Sequence, residues 1–80
     1  MTKPDWSAEL LNLWVEMKYI RKPSDIRPIT EAIAADITKY GDNQRYVIFI
    51  VYDPGHLVTD EGEFSSEILR RPTMRVRFIR

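Results

Sequence analysis

The sequence holds 80 residues, of which 44% are hydrophobic and 30% charged, and its 12 basic and 12 acidic side chains give a formal net charge of zero. That length allows one domain at most, burying about 60 to 65% of the surface its unfolded form exposes, and the balanced charge excludes a chain that attracts nucleic acid as a whole. The lack of cysteine rules out disulfides and thiolate metal sites, while no apolar run approaches the roughly 18 residues needed to cross a bilayer.

The N-terminus carries neither the charged nor the apolar region of a signal peptide, so a cytoplasmic protein with no membrane partner is expected. Asp5 to Leu10, behind Pro4, is predicted as a strand, since proline is tolerated at a strand's start. Asn12 falls at a turn, and the strand is expected to fold back on the next one as a hairpin. That next stretch, Leu13 to Ile20, reads Leu-Trp-Val-Glu-Met-Lys-Tyr-Ile. Alternation puts Leu13, Val15, Met17 and Tyr19 on an apolar side and Trp14, Glu16, Lys18 and Ile20 on the other. Glu16 and Lys18 then stand about 6.5 to 7 Å apart along the backbone, close enough to converge on one ion or phosphate.

A polar loop with Pro23 and Pro28 leads into a helix capped by Ser24 or Asp25 and ended by Gly41. Ile29, Ile33, Ile37 and Tyr40 recur along it at helical spacing, and Asp36 falls on the edge of that stripe. The continuous β-branched and aromatic run from Tyr46 to Tyr52 predicts a strand buried on both faces. A strand, a helix and a strand make it parallel to Leu13 to Ile20. The single histidine, His56, sits in a Pro-Gly-His turn and reads as solvated. A short helix over about Gly62 to Arg70 is stopped by Pro72. Met74 to Ile79 alternates as a half-buried edge strand. Charge is segregated: Asp53 to Glu67 contains five acids and no lysine or arginine, and Arg70 to Arg80 contains five arginines and no acid. The two segments either form a local phosphate-binding surface or neutralise each other.

Asp5, Glu16 and Lys18 form the constellation with the most chemistry in it. Hydrolysis of a phosphodiester with a magnesium ion needs acidic oxygens for a hard cation, a positioned water and a positive group near the phosphate. Asp5 and Glu16 supply carboxylates, the Met17 carbonyl adds an oxygen, and Lys18 can orient or activate the water. Spacing alone favours reading Glu16 and Lys18 as a surface ion pair worth at most about 1 kcal/mol; their place on an apolar strand, after a hairpin with Pro-Asp and before a helix and a buried strand, shifts the balance. There is no glycine-rich phosphate loop and no set of residues for serine or cysteine catalysis.

Pro4-Asp5, ten residues and then Glu16-Met17-Lys18 resembles the signature of the PD-(D/E)XK nuclease superfamily. More closely, Val15 to Arg21, Asp36-Ile37-Thr38-Lys39-Tyr40 and Phe49 to Leu57 are similar to the DpnII/MboI-like restriction endonuclease domain, over nearly the whole chain. The resemblance implies an α/β, restriction-endonuclease-like mixed sheet (hairpin, helix, buried strand) without the superfamily's usual N-terminal helix and first strand. Residues 1–80 are then one nuclease-like domain or the C-terminal part of a larger catalytic core. It implies a DNA endonuclease of restriction or phage-defence type, dependent on Mg2+ with Mn2+ as substitute. Asp5, Glu16 and Met17 would hold the metal and Lys18 would be the catalytic lysine. Asp36 and Tyr40 take the spacing at which related nucleases carry glutamine and tyrosine, so they are accessory candidates. Arg21 and Lys22 are candidates for phosphate contact. The alternative is an inactive nuclease-like module that binds DNA or a protein partner. A sheet with an uncovered face and edge also predicts a homo-oligomer or a subunit of a larger assembly.

Overall fold

The structure, a computed structural model, describes residues 6–8, 12–40 and 46–80. Strand β1 (Trp6–Ala8) pairs antiparallel with β2 (Leu13–Tyr19), in the register Ala8 with Leu13, Ser7 with Trp14 and Trp6 with Val15. The turn between them is marked by Asn12, whose φ of 52° is a left-handed value that asparagine tolerates better than most residues. A single turn of 3-10 helix (Pro23–Asp25) runs into helix α1 (Ile26–Tyr40), which leads to strand β3 (Tyr46–Tyr52). Two one-turn helices, α2 (Glu61–Phe64) and α3 (Ser66–Leu69), lead to strand β4 (Met74–Ile79). The sheet order is β1-β2-β3-β4, with β2, β3 and β4 mutually parallel. The fold is therefore α/β with a mixed sheet, as expected.

Two successive parallel crossovers advancing in one direction carry their helices to the same face when both have the usual hand. The core shows this: Ile33 and Ile37 of α1 and Ile68 of α3 pack with Val47, Phe49 and Met74 from the strands. A second cluster joins Ile20, Val51 and Val58, with Phe64 of α2 and Phe78 of β4 against it. Among the described residues no helix lies on the other face.

Two expectations are corrected, the burial of β3 on both faces and the unbroken helix before Pro72. β3 alternates between fully buried Val47, Phe49 and Val51 and half-buried Ile48 and Ile50, so only one of its faces is in the core. The side of β2 turned to the helices is the mixed one, with Trp14, Glu16 and Ile20, while the more apolar Leu13, Val15 and Met17 lie half-buried on the open face. The crossover hand, not the apolar count of one strand, decides which side is covered. The helix expected over Gly62 to Arg70 is broken at Ser65, which is buried and caps α2 while starting α3. The strand expected from Asp5 to Leu10 is described only for Trp6–Ala8, and Asp5 and Gly41 lie outside the described residues.

Candidate active site

β2 is an interior strand whose parallel register aligns Glu16 with Phe49 and Lys18 with Val51. Side chains at these positions share the helix-covered face, so an acid and an amine project from an otherwise apolar layer. Both are largely sequestered, the Glu16 side chain being 7% exposed and that of Lys18 16%. Asp36, on the edge of the isoleucine stripe of α1, reaches the same place from above, with 13% of its side chain exposed.

The Lys18 ammonium sits between two carboxylates. Its Nζ lies 2.9 Å from Oδ2 of Asp36 and 4.0 Å from Oε2 of Glu16. The shorter contact is a close ion pair between groups that are both largely screened from solvent. Three ionisable groups gathered in an otherwise apolar layer make this place a functional-site candidate.

The other residues singled out in the sequence fare differently. Asp5 lies outside the described residues, and so does the side chain of Tyr40, the last residue of α1. The Met17 side chain is on the open face. Hydrogen bonds from Tyr46 N–H to the Asn12 carbonyl and from Ile20 N–H to the Tyr52 carbonyl show that even-numbered residues of β2 turn their main chain toward β3. Met17 therefore directs its backbone groups toward the β1 side. Arg21 and Lys22 are exposed, and their backbone N–H groups donate to Asp25 Oδ2 at 2.9 and 3.2 Å. The Arg21 hydrogen bond foremost, joined by that of Lys22 and both positive charges, outweighs the opposing effect of desolvation and lowers the Asp25 pKa below 3.8. The loop following the Lys18 strand is pinned in this way, leaving both basic side chains in solvent.

One carboxylate with a large role was not anticipated. Asp53, at the end of β3, is completely buried. It accepts hydrogen bonds from Leu57 N–H (2.8 Å) and Val58 N–H (3.0 Å) and lies 3.4 Å from the Arg80 guanidinium. Burial pushes its pKa up, but the Val58 and Leu57 bonds and the Arg80 charge outweigh that and hold it below 3.8. Its sequence signal is the Asp-Pro-Gly turn after a buried strand, where an aspartate folds back onto the following backbone. Arg80 also approaches Glu61, and Arg70 pairs with Glu67, so the acidic and basic segments partly neutralise each other.

The residues present fit a hard divalent cation. Mg2+ takes oxygen ligands and is commonly bound through one or two carboxylates with waters completing its shell. Glu16 offers one such group, and Asp36 brings a second carboxylate to the same ammonium. Among the described residues no group of three histidine, aspartate or glutamate side chains gathers.

A comparison with protein families decides the relationship: the model of the DpnII/MboI restriction endonucleases matches residues 2–79. The chain belongs to the DpnII/MboI restriction endonuclease family. No curated protein and no solved structure matches it. Membership of this family supports a nuclease or restriction function and implies DNA as the substrate. Restriction endonucleases generally use divalent metal ions. No described helix is long and apolar enough to cross a membrane.

Proposed function

We propose that this DpnII/MboI family member is a Mg2+-dependent DNA endonuclease whose centre is the group Glu16, Lys18 and Asp36, completed by Asp5. The observation that carries this reading is the Lys18 ammonium held between two sequestered carboxylates on the helix-covered face. Trp6 with Val15 is the outermost described pair of the hairpin, and in the sequence Asp5 precedes Trp6 as Glu16 follows Val15. That adjacency supports Asp5 and Glu16 as metal-holding carboxylates, with the Met17 carbonyl beside them. The metal would polarise the phosphate and help generate a nucleophile from water.

The chain's own residues do the rest. Lys18 holds and orients the attacking water and offsets negative charge on the phosphate as it builds. Asp36 keeps the amine aimed into the site, and the apolar layer of Ile33, Ile37 and Phe49 around it limits competing water. Arg21 and Lys22, at the end of the same strand, contact backbone phosphates and set the register of the DNA. Attack on phosphorus leaves a 5′-phosphate on one fragment and a 3′-hydroxyl on the other.

The test is cleavage of plasmid DNA with Mg2+ or Mn2+ by the wild-type chain, Glu16→Ala and Lys18→Ala. The reading expects nicking or linearisation by wild type and none by either variant. Cleavage that survives in both variants, or its absence from wild type with both metals, overturns the assignment. In the second case, failure of Mn2+ to bind leaves an inactive DNA-binding or protein-interaction module.

A further inference from the structure

The face of the sheet without helices has a chemistry of its own. Its rows follow from the register: Tyr19, Tyr52 and Ile79 at one end, then Met17, Ile50 and Arg77, then Val15, Ile48 and Arg75. Three features stand out. Tyr19 and Tyr52 are 47% and 41% exposed and meet edge to face at 6.1 Å between ring centroids. The Arg21 guanidinium lies over the Tyr19 ring at 5.4 Å, extending that platform by another flat surface. Every charged side chain on these rows is an arginine, and among the described strand residues no acid faces the same way.

We propose that this open face is a second nucleic-acid contact, one that holds an unpaired strand by stacking its bases on Tyr19 and Tyr52. Arg75 and Arg77, about 7 Å apart along β4, take the phosphates. Aromatic rings on an exposed sheet face bind single strands without sequence preference because every base has a flat face to stack, and arginine adds both charge and a plane. Charge separates this occupant from a second copy of the chain. Two such faces brought together would set arginines near arginines with no carboxylate to meet them. The surface is on the opposite side of the sheet from Lys18, so this inference goes beyond the endonuclease reading and needs no metal.

Fluorescence anisotropy of a labelled ten-nucleotide oligothymidylate, in low salt with EDTA, tests it on the full chain. Wild type binds, and the affinity falls with salt. Tyr52→Leu, which keeps an apolar side chain, weakens binding by on the order of tenfold. Arg77→Gln lowers the slope of log affinity against log salt by about 0.7. Circular dichroism checks that both variants fold, and Arg27→Gln, on the exposed side of α1 across the sheet, binds as wild type does. The proposal is overturned by no binding at low salt, or by binding that folded Tyr52→Leu and Arg77→Gln leave unchanged. It is equally overturned if light scattering shows self-association that Tyr52→Leu abolishes, because the face then belongs to a protein partner. Because EDTA removes the metal, any of these failures leaves the Glu16 and Lys18 assignment standing.

Discussion

Asp53 and Asp36 are both acids shielded by the helix-bearing side of one small sheet, and they are held in opposite ways. Asp53 is fully buried and satisfied by the backbone: two N–H groups donate to it and an arginine balances its charge. Asp36 meets side-chain charge instead, an ammonium at 2.9 Å that Glu16 also approaches. The first arrangement closes a turn and leaves no capacity for a ligand. The second gathers two carboxylates around one amine, an excess of negative groups that suits a cation. Burial of an acid is therefore a poor guide to function until its partners are counted.

The comparison breaks most visibly at the chemistry. Lys18→Met and Glu16→Gln, which keep much of each side chain's bulk, should lower DNA cleavage by about 10^2- to 10^4-fold while circular dichroism shows an intact fold. Asp36→Asn should lower it by about 10- to 100-fold, as loss of an orienting partner does.

At the other carboxylate the effect moves from activity to stability. Asp53→Ala leaves two backbone donors and Arg80 without their acceptor and should cost about 2 to 4 kcal/mol, read as a lower midpoint in urea. The same side chain makes the fold acid-sensitive. Its pKa is lower folded than unfolded, so its contribution is fully present above the unfolded value near 3.8 and is lost as pH falls below it. Asp53→Asn should flatten the fall in stability between about pH 5 and pH 2. The smallest effect belongs to Arg27 and Glu31, an exposed pair one helical turn apart at 3.4 Å. Arg27→Ala should change stability by no more than about 0.5 kcal/mol.

These differences mark what the sequence could reveal. Periodicity was enough for the strand from Leu13, the helix through Ile29, Ile33 and Ile37, and the alternating Met74 to Ile79, because each pattern matches one local geometry. The parallel pairing of β2 and β3 follows from a helix lying between two strands. Which side of β2 the helices cover was not legible. Val15 and Met17 are more apolar than Glu16 and Lys18, yet they face outward, because sheet order and crossover hand are properties of the whole chain. The meeting of Asp36 with Lys18 was visible only as an acid at a stripe's edge, since the contact depends on how α1 crosses the sheet. Asp53 carried a signal in Asp53-Pro54-Gly55, but its partner Arg80 stands 27 residues further on in the numbering, and no local pattern joins them.

Calorimetric titration of Mn2+ into wild type and Glu16→Gln tests the cation site most directly. The account predicts a saturable heat of binding in wild type that the folded variant loses. Equal heats from the two proteins would contradict it.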